Sequence, residues 1–142
     1  MLHISPSLQF FMSLAKIELV MHRKFDARLM GLGFTEFIIL YHLVQAKDEK
    51  LRRIDLSEKV GLTASGITRL LAPMEKIGLI KKEAHENDAR VSYVVLAPSG
   101  KRMLKEALEN AEDLSDNTIT LLRDKKAAKM IDAVISTMAN SL

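Results

Sequence analysis

The 142-residue chain contains no cysteine. A disulfide framework and a thiol switch are therefore excluded, and a reducing cytoplasm is the expected compartment. Long hydrophobic runs are also missing. No stretch approaches the roughly 20 apolar residues of a membrane span, and the N-terminus (MLHISPSLQFFMSLAK) has no basic region ahead of an apolar core. Neither a membrane partner nor an export signal is expected. There is no glycine-rich phosphate loop, no nucleophile elbow and no paired-histidine motif, and the apolar stripes carry too few convergent polar groups for an acid and base pair. No catalytic residue is assigned and no enzyme is expected. His3, His22, His42 and His85 are scattered; only Glu18 and His22 share a helix face, so no metal ligands and no cofactor are assigned. Internal repeats and low-complexity tracts are absent too.

What the chain does have is apolar residues, 48% of the total, in a length suited to one domain with a real core. The methionines fall mostly at stripe positions and read as core filler. The net charge of +3 is unevenly spread: Lys and Arg against Asp and Glu number 4 to 3 over residues 1–46, 12 to 8 over 47–102, and 5 to 7 over 103–142. A positive centre between neutral flanks is the distribution a polyanion-binding module shows, though surplus lysine also serves solubility.

Within that centre, Ile67, Leu70, Leu71, Met74 and Ile77 recur at spacings of three and four. They predict a helix over Thr63–Leu79 with Thr63 as N-cap and Gly78 as its stop, leaving Ser65, Arg69, Ala72 and Lys76 on the open face. Pro73 removes a backbone bond and predicts a bend. Upstream, Asp55–Val60 reads as a short helix closed by Gly61, completing a helix-turn-helix. Downstream, Leu79–Ala84 and Val91–Leu96 flank the polar hexapeptide HENDAR and predict a hairpin, or wing, beside which Leu51–Ile54 forms a short third strand.

The flanks are helical. Phe10, Phe11, Leu14, Ile17, Met21 and Phe25 mark a helix from Pro6 to about Leu29, widened by Leu19 and Val20. A second helix, with Phe37, Ile38, Leu40, Tyr41 and Val44 mostly inward, runs over Phe34–Ala46 with Gly33 as its cap. After the wing, Pro98 starts a helix carrying Met103, Leu104, Ala107, Leu108, Ala111 and Leu114. A polar break at Ser115–Thr118 precedes a terminal helix with Ala127, Met130, Ile131, Val134, Ile135 and Met138. Stripes wider than one neighbour can cover predict a homodimer. The expected fold is a single domain over residues 1–142, mainly α with a small β-hairpin wing: a winged helix-turn-helix at 32–97 and long dimerisation helices at 1–31 and 98–142.

Taken together, GFTEFIIL, DLSEKVGLTASGITRLLAPMEKIGLIKK, the wing triplet Asp88–Arg90 and VLAPSGKRM resemble the MarR (multiple antibiotic resistance regulator) family of winged-helix transcription regulators over roughly Leu32 to Ala107. The resemblance implies a homodimer reading a pseudo-palindromic site in double-stranded DNA. By position it places Thr63, Ser65, Gly66, Thr68 and Arg69 on the exposed half of the recognition helix, Arg90 at the minor groove, and Asp88 as the acid that orients it. Gly33 and Ala97 at cap positions, and Pro73, depart from the pattern. Arg52, Arg53, Lys81 and Lys82 are expected near phosphates or in solvent.

Two further expectations follow. Where the N-terminal helix, the Phe34 helix and the Pro98 helix meet, His22, Phe25, Phe37, Tyr41 and His42 suggest a pocket for an aromatic acid or similar amphipathic effector, the alternative being plain core. A reading from another class is a winged-helix protein-interaction adaptor without sequence-specific DNA binding. Arg69 and Arg90 on one exposed side favour DNA.

Overall fold

The first helix begins as its sequence dictates. In the computed structural model, which describes all 142 residues, the Ser5 hydroxyl accepts from the Leu8 amide at 3.1 Å, and Pro6 occupies the first turn, where it forfeits no hydrogen bond. This helix, α1 (Pro6–Asp26), stops short of the predicted end; Leu29 is buried in the turn that follows. Helix α2 (Phe34–Gln45) has Gly33 at its cap position and so lacks a capping side chain. Asp26 substitutes, its Oδ1 accepting from the Phe34 amide at 2.7 Å. Beside that bond the Phe25 and Phe34 rings stack with centroids 4.0 Å apart and planes within 9°.

Helix α2 is the centre of the core. Phe37, Ile39, Leu40 and Leu43 are buried, each fully covered aliphatic side chain contributing roughly 1.5–3 kcal/mol. Ile39, absent from the predicted stripe, is fully buried, whereas Tyr41 is 45% exposed. With neighbours on nearly every side, this helix has no simple two-faced pattern to read.

A short turn leads to β1 (Lys50–Arg52), then α3 (Arg53–Val60), α4 (Ala64–Lys76), β2 (Ile80–Ala84) and β3 (Ser92–Leu96). The strands form an antiparallel sheet in the order β1-β3-β2, so the expected third strand is present but ends at Arg52, where α3 begins. Ile80 pairs with Leu96 and both are buried, but Lys81 to Ala84 are all exposed. On β3 Val94, the partner of Lys82, is still buried, so β3 stays with the core over its second half while β2 beyond Ile80 and the connecting loop project as a wing.

Helix α5 (Pro98–Thr118) packs its first turn against the base of the wing. A Cβ at Gly100 would lie 2.1 Å from the Leu79 carbonyl oxygen, so only glycine permits this approach. The predicted break at Ser115–Thr118 does not occur. The Ser115 and Thr118 hydroxyls donate to the carbonyls of Ala111 and Leu114, four residues back, and carry the helix through the polar stretch. The interruption falls instead at Ile119, and after one further turn Asp124 caps α6 (Lys125–Ser141), accepting from the Lys126 amide at 2.9 Å.

No residue of α6 is buried. Met130, Ile131, Val134 and Ile135 lie open on it, as Leu8, Phe10, Phe11 and Ile17 do on α1. Two long apolar faces thus have no cover within the chain. No helix is long and apolar enough to cross a membrane.

Candidate nucleic-acid interface

The turn between α3 and α4 is set by Gly61, whose φ of 84° ends α3 in the left-handed region while its amide donates to the Ser57 carbonyl. Thr63 then caps α4, its Oγ1 accepting from the Gly66 amide at 3.0 Å. Gly66 itself is half-buried, and a Cβ there would come within 3.1 Å of that capping hydroxyl. Gly66 thus shapes the helix start rather than offering a contact of its own. Ile67, Leu71 and Met74 anchor α4 to the core, whereas Ile77, predicted to continue this stripe, follows the helix and is 66% exposed. Helix α4 runs through Pro73, which lies on its exposed side.

That anchoring turns Ser65, Thr68 and Arg69 outward. They are not equivalent. Arg69 forms no hydrogen bond or ion pair within the chain, leaving its guanidinium fork available. The Thr68 hydroxyl is engaged twice, donating to the Ala64 carbonyl at 2.9 Å and accepting from Arg53 Nη1 at 2.9 Å. Arg53 is accordingly a brace between α3 and the recognition helix; its Nε is buried without a partner. Arg52 pairs with Asp55 at 2.9 and 3.3 Å, which leaves its charge largely answered.

On the wing, Asp88 Oδ1 accepts from the Arg90 amide at 3.0 Å and from Arg90 Nε at 3.2 Å. These bonds, the amide first, hold the Asp88 carboxyl below the usual carboxylate range. They also aim a side chain that is 92% exposed. Lys81 and Lys82 pair with Val95 and Val94 and so, by strand alternation, point to opposite faces of the wing. A single phosphate cannot be met by both.

Arg52, Arg53 and Arg90 line one cleft of about 340 Å³ between the start of α3, the start of α4 and the wing. Ile54, Ser57 and Ala64 join them there. Sequence reasoning missed Ile54, which is 61% exposed; its one signal is an aliphatic residue standing among the charges of RRID.

A second cleft, of about 310 Å³, lies between α2, α5 and the end of α1 and is lined by Phe25, Phe34, Phe37, Tyr41, Leu108, Ala111, Glu112 and Ser115. The two histidines expected there border the cleft without lining it, His22 edge-on to Phe34 and His42 edge-on to Tyr41, each with ring centroids 5.5 Å apart. His22 Nε2 is bonded to Thr35 Oγ1 at 2.8 Å, with Glu18 Oε1 3.0 Å from Nδ1. His42 lies half-buried on another side of α2, where burial first and then the charge of Lys59 lower its pKa. Above about pH 6.5, the ordinary histidine value, His42 is neutral folded or unfolded. As pH falls through that value the unfolded chain takes up the proton first, so stability drops until the lower folded pKa is reached. Urea denaturation between pH 7.5 and 5 is expected to show this loss in the wild type and a smaller one in His42→Gln; equal losses would remove the assignment. Nowhere do three or more His, Cys, Asp or Glu gather as a metal site.

A three-stranded wing beside a capped recognition helix defines a winged helix-turn-helix protein. Residues 34–92 match the MarR family. It is 32% identical over 104 residues to the HTH-type transcriptional repressor YetL of Bacillus subtilis, covering 72% of this chain and 62% of YetL. The chain spans less than two thirds of the length of the curated relatives it matches. In fold it is similar to Sco3205 of Streptomyces coelicolor, a MarR family transcriptional regulator solved in complex with DNA (TM-score 0.87, 18% identity, covering 100% of this chain and 91% of that one). It is likewise similar to the PcaV transcriptional regulator of the same organism, solved with its natural ligand (TM-score 0.81, 16% identity, covering 100% of both chains).

Proposed function

We propose that the chain is a homodimeric, sequence-specific double-stranded DNA-binding transcription regulator whose affinity for DNA is tuned by a small aromatic or amphipathic effector. The observation that carries this reading is the pairing of an unpartnered Arg69 on the outward face of α4 with an Arg90 aimed by Asp88 at the tip of the wing. A guanidinium on a major-groove helix can bridge O6 and N7 of guanine, and an exposed wing arginine suits a narrow, electronegative minor groove. Sco3205, of the same fold, was solved in complex with DNA.

In this reading residues 32–97 read DNA, and residues 1–31 and 98–142 dimerise through the open apolar faces of α1 and α6. Lys81 and Arg52 serve as backbone-phosphate neighbours at most, and Gly66 and Thr68 act through the shape of the helix. The aromatic cleft takes the effector, the role its size favours over plain core; PcaV, of the same fold, was solved with its natural ligand. The compartment is that of the chromosome, the cytoplasm, and no catalytic step is assigned.

Selection from a random duplex pool tests the reading. An enriched pseudo-palindrome, bound by a dimer, is the expected result. Recovery of no common sequence would favour the adaptor instead.

A further inference from the structure

The charge of the aromatic cleft narrows the class of its ligand. Four of the chain's seven aromatic residues line it, Phe25, Phe34, Phe37 and Tyr41. The Phe25–Phe34 stack continues to Phe37, whose ring centroid is 6.3 Å from that of Phe34 with planes 19° apart. Stacked in this way, the rings turn faces to one another and supply an apolar wall for an aromatic or hydrophobic body. The lining contains no lysine, arginine or histidine; its one charged side chain is Glu112, an exposed carboxylate with no cation or hydrogen-bond donor paired to it. The Arg28 guanidinium in the neighbourhood is directed at Asp113, 3.9 Å away. Residues 104–118 of α5 carry five acids (Glu106, Glu109, Glu112, Asp113 and Asp116) against Lys105 alone. Among the lining side chains a carboxylate ligand would find no counter-charge and would sit beside a like one; His22, edge-on to Phe34, has its two ring nitrogens directed at Thr35 Oγ1 and Glu18 Oε1.

We infer that the cleft selects an organic cation, an ammonium or similar head on an aromatic or hydrophobic body, with the rings enclosing the body and Glu112 holding the head. This inference rests on the cleft being the effector site and replaces the aromatic acid expected from sequence.

The test uses two probes matched in size and opposite in charge, tyramine and 4-hydroxyphenylacetate, titrated calorimetrically into the full-length protein, with DNA affinity measured separately at saturating probe. Tyramine is expected to bind about tenfold more tightly, since attraction to Glu112 in one case and repulsion in the other each contribute on the scale of a partly exposed ion pair. Glu112→Gln should weaken tyramine roughly threefold to fivefold, and Glu112→Lys should reverse the preference. Equal or tighter binding of 4-hydroxyphenylacetate by the wild type would overturn the inference, as would tyramine binding indifferent to both substitutions. If tyramine binds as expected yet leaves DNA affinity unchanged, the cation site stands and the effector reading fails. If 4-hydroxyphenylacetate binds and shifts DNA affinity, the effector reading stands and the cation site fails.

Discussion

Replacing Ile131 and Val134 together by glutamate is expected to abolish the dimer and, with it, operator binding. Both side chains are exposed in the isolated chain on a helix without a single buried residue, alongside Met130 and Ile135 and facing the same open side as Phe10. A helix in this state is held by little in its own chain. Pairing it with a second copy is proposed to bury surface on the obligate scale, roughly 2,000–5,000 Å² in total. Each glutamate introduced there would have to be desolvated without a partner, at a cost of several kcal/mol per charge. Sedimentation velocity at micromolar concentration should therefore show a dimer for the wild type and a monomer or partly unfolded chain for the variant. A wild type that is a well-folded monomer, or a variant with unchanged mass and unchanged DNA affinity, would defeat the dimer assignment.

Arg69→Ala is expected to produce the next largest effect, on affinity and on sequence preference together. Because Arg69 has no partner in the free protein, its loss should leave folding intact and appear only on DNA. A cost of roughly 1–3 kcal/mol on the preferred site is expected, with relaxed preference at one base pair in each half-site. Arg90→Ala should differ in kind. The minor groove offers a degenerate code, so binding should weaken more evenly across sequences, with the residual preference concentrated in A·T-rich flanks. The dependence of affinity on salt should flatten by about one ion per wing. Equal affinity of wild type and both variants for the selected site, across several salt concentrations, would remove the DNA-reading assignment.

The parts of this structure that were legible in the sequence are those where one local rule acts alone. Thr63 caps, Gly61 turns, Pro6 and Pro98 start helices, and the winged helix-turn-helix follows from their order. Where two rules compete, the sequence misleads. Ser115 and Thr118 look like a break because hydroxyl residues usually leave helices, but here each bonds back to its own helix. The real interruption falls at the apolar Ile119. The direction of side chains on α2 was illegible for a different reason: a helix buried nearly all round has no stripe to fix its phase. His42 was thus assigned to the lining of the aromatic cleft, whereas it stands beside the lining Tyr41 ring, within reach of the charge of Lys59. Thr68 and Arg53 are fifteen residues apart, and only the folded chain brings hydroxyl and guanidinium together.

The Asp26 bond to the Phe34 amide and the adjoining Phe25–Phe34 stack bear on how motion can travel. They clamp the helices on either side of residues 27–33, so this loop, despite two glycines, is a poor pivot. The last turn of α1 and the first of α2 form a clamped elbow, one arm carrying the open apolar face of α1 and the other the buried residues of α2. Two of the rings that line the cleft sit at the bend of that elbow. A molecule wedged between them and α5, as the proposed function has it, would bear on a lever rather than a hinge.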